Sequence, residues 1–230
     1  MSKDARPPAR TLDRPLVLGT LLLLLGLSGG FHLGRASDPG SDEPHPHEYA
    51  PIVTLTGPDA DRARSTAQRE FSGATLGGDS TDFKELMAHH EVVMATWFAE
   101  WCANCGYEAP HLGRLARQWA DRGLAVVARS EYSHPDEVRR FLGQHAFHMP
   151  VVLGSPNPDP DREDEVRLGT GHYEFRTVLG DTRKWGTPLT LIFARGSDEV
   201  GVVLGEYVPD EVEAYLAQRL ATPSGPMVRR

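Results

Sequence analysis

Two cysteines are all this 230-residue chain has, which excludes a small domain stapled by several disulfides. Cys102 and Cys105 are each other's sole intrachain partners. A bridge between residues so close in sequence closes almost no loop, so the pair points to chemistry rather than stapling. Clustered Lys and Arg are lacking as well. The chain carries 24 Lys+Arg against 32 Asp+Glu, a formal charge of −8. Residues 1–35 hold five basic and two acidic side chains, which leaves the remainder at −11. Such a body has no surface for neutralising phosphates, so nucleic acid is excluded as a partner. Wholesale disorder is excluded by eight Phe, six Tyr and four Trp, enough to build a core. No internal repeat is present, and the length suits one ordinary domain with appendages.

Long apolar runs are scarce, and the one that stands out lies near the start. Residues 15–34 contain no formally charged side chain, and as a helix they would rise about 30 Å, one hydrocarbon thickness. Lys3, Arg6, Arg10 and Arg14 precede the run and Arg35 follows it. This bias expects a cytoplasmic amino terminus, a single-pass anchor over residues 15–34 and an extracytoplasmic body. The alternative is a cleaved signal peptide with a small-x-small site at Ser28 and Gly30, giving a secreted or periplasmic protein. Gly26, Gly30 and Gly34 also form a ladder of small residues on which two anchors could pair. Either way the body is expected outside the cytoplasm.

Residues 36–66 are rich in Pro, Gly and charge and read as a spacer, with His45 and His47 as solvated linker residues. From residue 67 to about 222 the pattern is that of an α/β domain. Residues 92–98 form a continuous β-branched and aromatic run, as in a buried central strand. A helix is expected from Cys102 to about Arg122 with Leu112, Leu115 and Trp119 inward. Then come a strand over 124–128, a helix over 136–145 with Val138, Phe141 and Leu142 inward, and a strand over 150–153. Residues 173–184 are weakly helical, 189–194 and 200–204 form a hairpin, and 209–220 is a capped amphipathic helix. The order implies a single α/β sandwich followed by a short tail, residues 223–230.

The chemistry sits at Trp101-Cys102-Ala103-Asn104-Cys105. Directly after a buried strand and opening a helix, Cys102 falls where free backbone N–H groups and the helix dipole favour a thiolate. Cys105, one turn on, is placed to resolve a mixed disulfide formed at Cys102. A zinc site lacks a second Cys-x-x-Cys, and c-type haem attachment needs a His where Gly106 stands. Further along, Gly186-Thr187-Pro188 immediately precedes the strand LTLIF. A cis Thr187–Pro188 bond there would present the backbone of Thr187 beside the thiols.

Trp-Cys-x-x-Cys after a strand, with Thr-Pro before a hairpin, resembles the thioredoxin superfamily. The sequence WFAEWCANC is most similar to the membrane-anchored, exported thiol:disulfide oxidoreductases of the TlpA/ResA type. The resemblance covers residues 67–221. It implies a thioredoxin fold, a central mixed sheet flanked by helices, and a reaction that needs no cofactor beyond the Cys102–Cys105 disulfide. By the same resemblance Cys102 is the nucleophile and Cys105 the resolving thiol. Glu108, followed by Pro110, modulates their ionisation, and Glu100 is a weaker candidate of that kind. Trp101, Thr187 and a cis Pro188 would meet the substrate. Protein disulfides are the implied substrates, a membrane electron donor or acceptor the implied partner, and cytochrome c maturation one setting.

Three departures stand out. Ala103-Asn104 replace the usual Pro between the cysteines. No residue is assigned to the acidic position beneath the thiols, where Glu70 and Asp82 are not nominated. Residues 155–171 look like an acidic insertion carrying Asp159, Asp161, Glu163, Asp164 and Glu165. As a calcium loop it fails, with Arg162 where Gly is needed and Leu168 where Glu is needed. It is expected to be an acidic surface loop that discourages acidic partners. Two other functions are weighed: an oxidase of DsbA-like polarity that introduces disulfides, and a copper chaperone using the thiolates with His89 and His90. No metal site is expected.

Overall fold

The computed structural model describes residues 49–156 and 163–221, which fall in the compact unit beginning at His45. In chain order these residues form β1 (Tyr49–Ala50), β2 (Val53–Leu55), α1 (Gly57–Glu70), β3 (Gly73–Ala74), β4 (Ser80–Thr81), α2 (Phe83–His89) and β5 (Val92–Phe98). There follow α3 (Ala103–Trp119), a single 3-10 turn (Ala120–Arg122), β6 (Leu124–Ser130), α4 (Pro135–Gln144) and β7 (Val151–Leu153). The remainder is α5 (Glu163–Leu168), α6 (Gly171–Val178), β8 (Leu189–Ala194), β9 (Val200–Val203), β10 (Glu206–Tyr207) and α7 (Pro209–Leu220).

The main sheet has the order β2-β9-β8-β5-β6-β7. β5 pairs in parallel with β6 and antiparallel with β8, so it is the central strand of a mixed sheet. Every residue of β5 is buried, which is why its sequence is a continuous apolar run rather than an alternating one. Alternation sorts its side chains onto two faces. Val92, Met94 and Phe98 join Leu112, Leu115 and Trp119 of α3, Val138 and Phe141 of α4, and Val212 and Leu216 of α7. Val93, Ala95 and Trp97 join Ala60, Ala63 and Ala67 of α1, Phe83 of α2 and Phe175 of α6. Helices thus cover both faces, the layering expected of a thioredoxin-type domain.

The structure departs from three of the sequence-based expectations. The spacer assigned to residues 36–66 ends before Tyr49: β1 pairs with β10, β2 extends the main sheet beside β9, and α1 packs on it. Pro58 is no breaker, because it lies in the first turn of α1, where no N–H is required. The helix buries alanines, whose small side chains let it approach the sheet but leave little hydrophobic signal. The weak helix expected over 173–184 starts earlier and stops at Val178, where Gly180 turns the chain at φ +80°. Part of the acidic stretch is ordered too, as α5, in which Asp164 pairs with Arg167 at 2.8 Å.

Among the described residues no helix is long and apolar enough to cross a membrane. The apolar segment 15–34, His45 and His47, residues 157–162 and the tail 223–230 lie outside the described residues.

Trp97 is the tightest point of the second core. It is fully buried, its ring centroid lying 4.5 Å from that of Phe71 and 6.1 Å from that of Phe175. Trp97→Ala is expected to cost about 3–5 kcal/mol, as large-to-small core changes of aromatics do. Urea denaturation should show this as a lower midpoint at an unchanged slope.

Candidate active site

The site forms where β5 ends and α3 begins. Trp97 of β5 pairs with Leu189 of β8. The residues just after β5 and just before β8 therefore meet at one edge of the sheet. Cys102 is the N-cap of α3, with extended backbone (φ −77°, ψ 114°), and its sulfur accepts the N–H of Cys105 at 3.4 Å. From the other side, the same Sγ lies 3.5 Å from the carbonyl oxygen of Thr187. The Thr187–Pro188 peptide bond is cis. Cys102, Cys105, Thr187 and Pro188 are thus brought together. Both cysteines are free thiols.

The two thiols differ sharply in environment. Cys102 is partly exposed and Cys105 is buried. The Cys102 thiol is lowered to about 7, chiefly by the hydrogen bond from the Cys105 side chain and against the effect of burial. The N–H groups of Cys105 and Asn104, at the helix start, add to the lowering. The Cys105 thiol is pushed well up, first by burial and then by its bond to Cys102. One sulfur is poised to attack while the other retains its proton.

Glu108 lies one turn beyond Cys105 and is buried, 5% exposed. Its Oε2 accepts the N–H of Tyr207 at 3.3 Å. Burial pushes the carboxyl well above its ordinary range and outweighs that single bond, and the nearby Glu206 and Cys102 act in the same direction. Cys105, Glu108 and Pro188 line one small cavity of about 10 Å³ with Phe98 and Phe147, the room of roughly one water. A negative charge on Glu108 also raises Cys105. Glu100 is half-buried in the turn before Trp101.

Trp101 is 42% exposed. Its indole N–H donates to the carbonyl of Tyr132 at 2.9 Å, and its ring packs edge-on to that of Trp185 at 5.2 Å. Trp185, Tyr132 and Arg176 are components the sequence reading missed. An aromatic residue in a polar loop two positions before Thr187 was the available signal for Trp185. Nothing local marks the other two: Tyr132 is met by the distant Trp101 and Thr170, and Arg176 is buried by the carbonyls of residues 181–184 that follow it.

His89 and His90 end α2, at the start of β5, whereas the thiols follow its far end. Seven strand residues span about 20 Å, so these histidines do not share a site with the sulfurs. Glu70 lies against Arg129 at 3.3 Å, and Asp82 caps α2 through the N–H of Lys84.

Alkylation by iodoacetamide is expected at Cys102, with a rate half-maximal near pH 7 and little modification of Cys105. Glu108→Gln, which deletes a charge that raises Cys105, should move the onset of Cys105 modification to lower pH. Mass-resolved alkylation across pH checks both expectations.

No protein-family model matches the chain. The thioredoxin-like protein YneN of Bacillus subtilis is 28% identical over 95 residues, 40% of this chain and 54% of YneN, so the chain spans about half that relative's length. The thiol-disulfide oxidoreductase ResA of Bacillus anthracis is 18% identical over 146 residues, 64% of this chain and 72% of ResA. A secreted thiol-disulfide isomerase from Corynebacterium glutamicum has a solved structure that matches with a TM-score of 0.51 at 16% identity. That match covers 66% of this chain and 84% of the isomerase, and it shows the shared fold. With a mixed sheet, a Cys-x-x-Cys at the head of the central helix and a cis proline facing it, the chain has a thioredoxin-type fold and is similar to thioredoxin-like YneN and the ResA thiol-disulfide oxidoreductases.

Proposed function

We propose that this chain is an extracytoplasmic thiol:disulfide oxidoreductase that reduces disulfides of other proteins by cycling Cys102 and Cys105 between dithiol and disulfide. The observation that carries the reading is the unequal pair of thiols. One, lowered to about 7, sits at a helix N-terminus, and the other is buried beside it with its pKa raised.

The Cys102 thiolate attacks one sulfur of the substrate disulfide, and the other substrate sulfur leaves as a thiolate. The resulting mixed disulfide removes the negative charge from Cys102, and with it one of the influences that held Cys105 protonated. Cys105 then loses its proton and attacks the Cys102 sulfur. The second substrate thiolate is released and the Cys102–Cys105 disulfide remains. Glu108 tunes the second step by its charge beside Cys105. Trp101 and the Thr187–Pro188 backbone flank the entering substrate. The cycle needs no cofactor, but each turn consumes two electrons, which a membrane partner would return.

Reduction is favoured over oxidation by the resemblance to the TlpA/ResA type, and a Cys102 thiol lowered against burial suits a nucleophile that attacks disulfides. Export is supported by the basic residues ahead of the apolar segment 15–34 and by the secreted isomerase that shares the fold. A role in cytochrome c maturation is one setting for such a reductase.

Cys102→Ser is expected to reduce insulin disulfides no faster than the uncatalysed background while keeping the native circular dichroism. Cys105→Ser should instead accumulate a covalent adduct through Cys102, visible by mass and released by dithiothreitol. Full turnover by either variant contradicts the mechanism.

A further inference from the structure

Trp185 packs against Trp101, the residue before Cys102, yet exchange chemistry gives it no task. It is half-buried, in the loop between α6 and β8. Its ring stands edge-on to Trp101 at 5.2 Å and tilts against Tyr132 at 4.9 Å. Trp101 therefore leaves apolar surface open to solvent beside the partly exposed Cys102, and the half-buried Trp185 adjoins it. Exposed apolar surface of that kind at a reactive centre marks a place where another molecule is covered.

The wall is held rigid from behind. Arg176 of α6 is fully buried, and its guanidinium donates to the carbonyls of Arg183 at 2.5 Å, Lys184 at 2.7 Å and Asp181 at 3.4 Å. It also lies 3.6 Å from the Asp181 carboxylate. Gly186 passes so near, at φ +69°, that a Cβ there would stand 2.5 Å from Cδ of Arg176. One buried cation thus templates the segment that carries Trp185. The opposite indole is fixed through Tyr132: Trp101 donates to its carbonyl, and its hydroxyl lies 3.0 Å from Thr170 Oγ1 and 3.2 Å from His172 Nδ1. His172 is buried and stays neutral, lowered to about 3 by burial, so this support carries no charge at working pH. The start of α6 therefore braces one indole and Arg176 the other. A surface fixed in advance loses little freedom on binding, so its apolar area is fully available for discrimination.

We propose that Trp185 is a specificity-determining residue. With Trp101 it forms an apolar wall that favours protein disulfides whose attacked cysteine is flanked by an aromatic or aliphatic side chain over those flanked by a small polar one. The proposal rests on the exchange reaction put forward above and adds a substrate class to it.

The test uses the full chain in its reduced form and two cyclic disulfide peptides, identical except for Phe or Ser beside the attacked cysteine. In a single turnover the protein dithiol becomes the Cys102–Cys105 disulfide and the peptide disulfide becomes a dithiol, which chromatography resolves. The wild type should reduce the Phe peptide about tenfold faster, the scale on which apolar contacts discriminate. Trp185→Ala should bring the ratio below about twofold, and Trp185→Phe should retain most of it. Because both peptides meet the same active fraction, partial misfolding lowers both rates and leaves the ratio unchanged. A wild type without preference, or a Trp185→Ala variant with the wild-type ratio, overturns the proposal while the exchange reaction stands. Reduction of neither peptide by the wild type overturns both.

Discussion

A helix begins with amide groups that nothing within the helix can satisfy, and in α3 those amides meet a sulfur. Cys102 caps the helix, and its thiolate takes the place that a Ser or Asp side chain fills at an ordinary N-terminus. This single substitution of cap chemistry organises what surrounds it. The charge is stabilised by the same N–H groups that need an acceptor, and the next turn delivers Cys105 to the same sulfur. β8, the paired neighbour of β5, starts just after Thr187 and Pro188, which places the Thr187 carbonyl on the opposite side of Cys102.

Burial then divides the labour. A partly exposed thiol at a helix end and a thiol within the core experience opposite pushes from the same few residues. Glu108 extends the contrast, being a carboxyl that burial drives toward its neutral form inside the first core. The two sides of the sheet also divide their roles. The first core holds Cys105, Phe98 and α3 and governs proton affinity. The second, around Trp97, is continued by the polar supports of α6, which brace Tyr132 and the loop before Thr187.

Much of this was legible in the sequence because it is written locally. The buried run of β5, the thiols at the head of a helix and the proline opening β8 each depend on neighbours in the chain. What escaped depends on distant partners or on weak patterns. α1 hides because alanines and Pro58 give it little amphipathic contrast, although both suit a helix lying close to a sheet. Arg176 reads as an ordinary surface residue of a short helix, yet it is fully buried among carbonyls that follow it in the chain. Tyr132 supports Trp101 through a main-chain carbonyl, a role any residue type could fill. Glu108 was recognisable by its place after Cys105, but its hydrogen-bond donor is the backbone of Tyr207, nearly a hundred positions away.

The central claim is that this dithiol gives its electrons away, and the reduction potential of the Cys102–Cys105 couple tests it most directly. The chain would be equilibrated at pH 7 in defined thiol buffers and the two states separated by alkylation. The account expects about −250 mV or lower, in the range of thioredoxin-like donors. A value near −120 to −150 mV, that of a couple whose reduced form is the stabilised one, would contradict it and make the protein an oxidant.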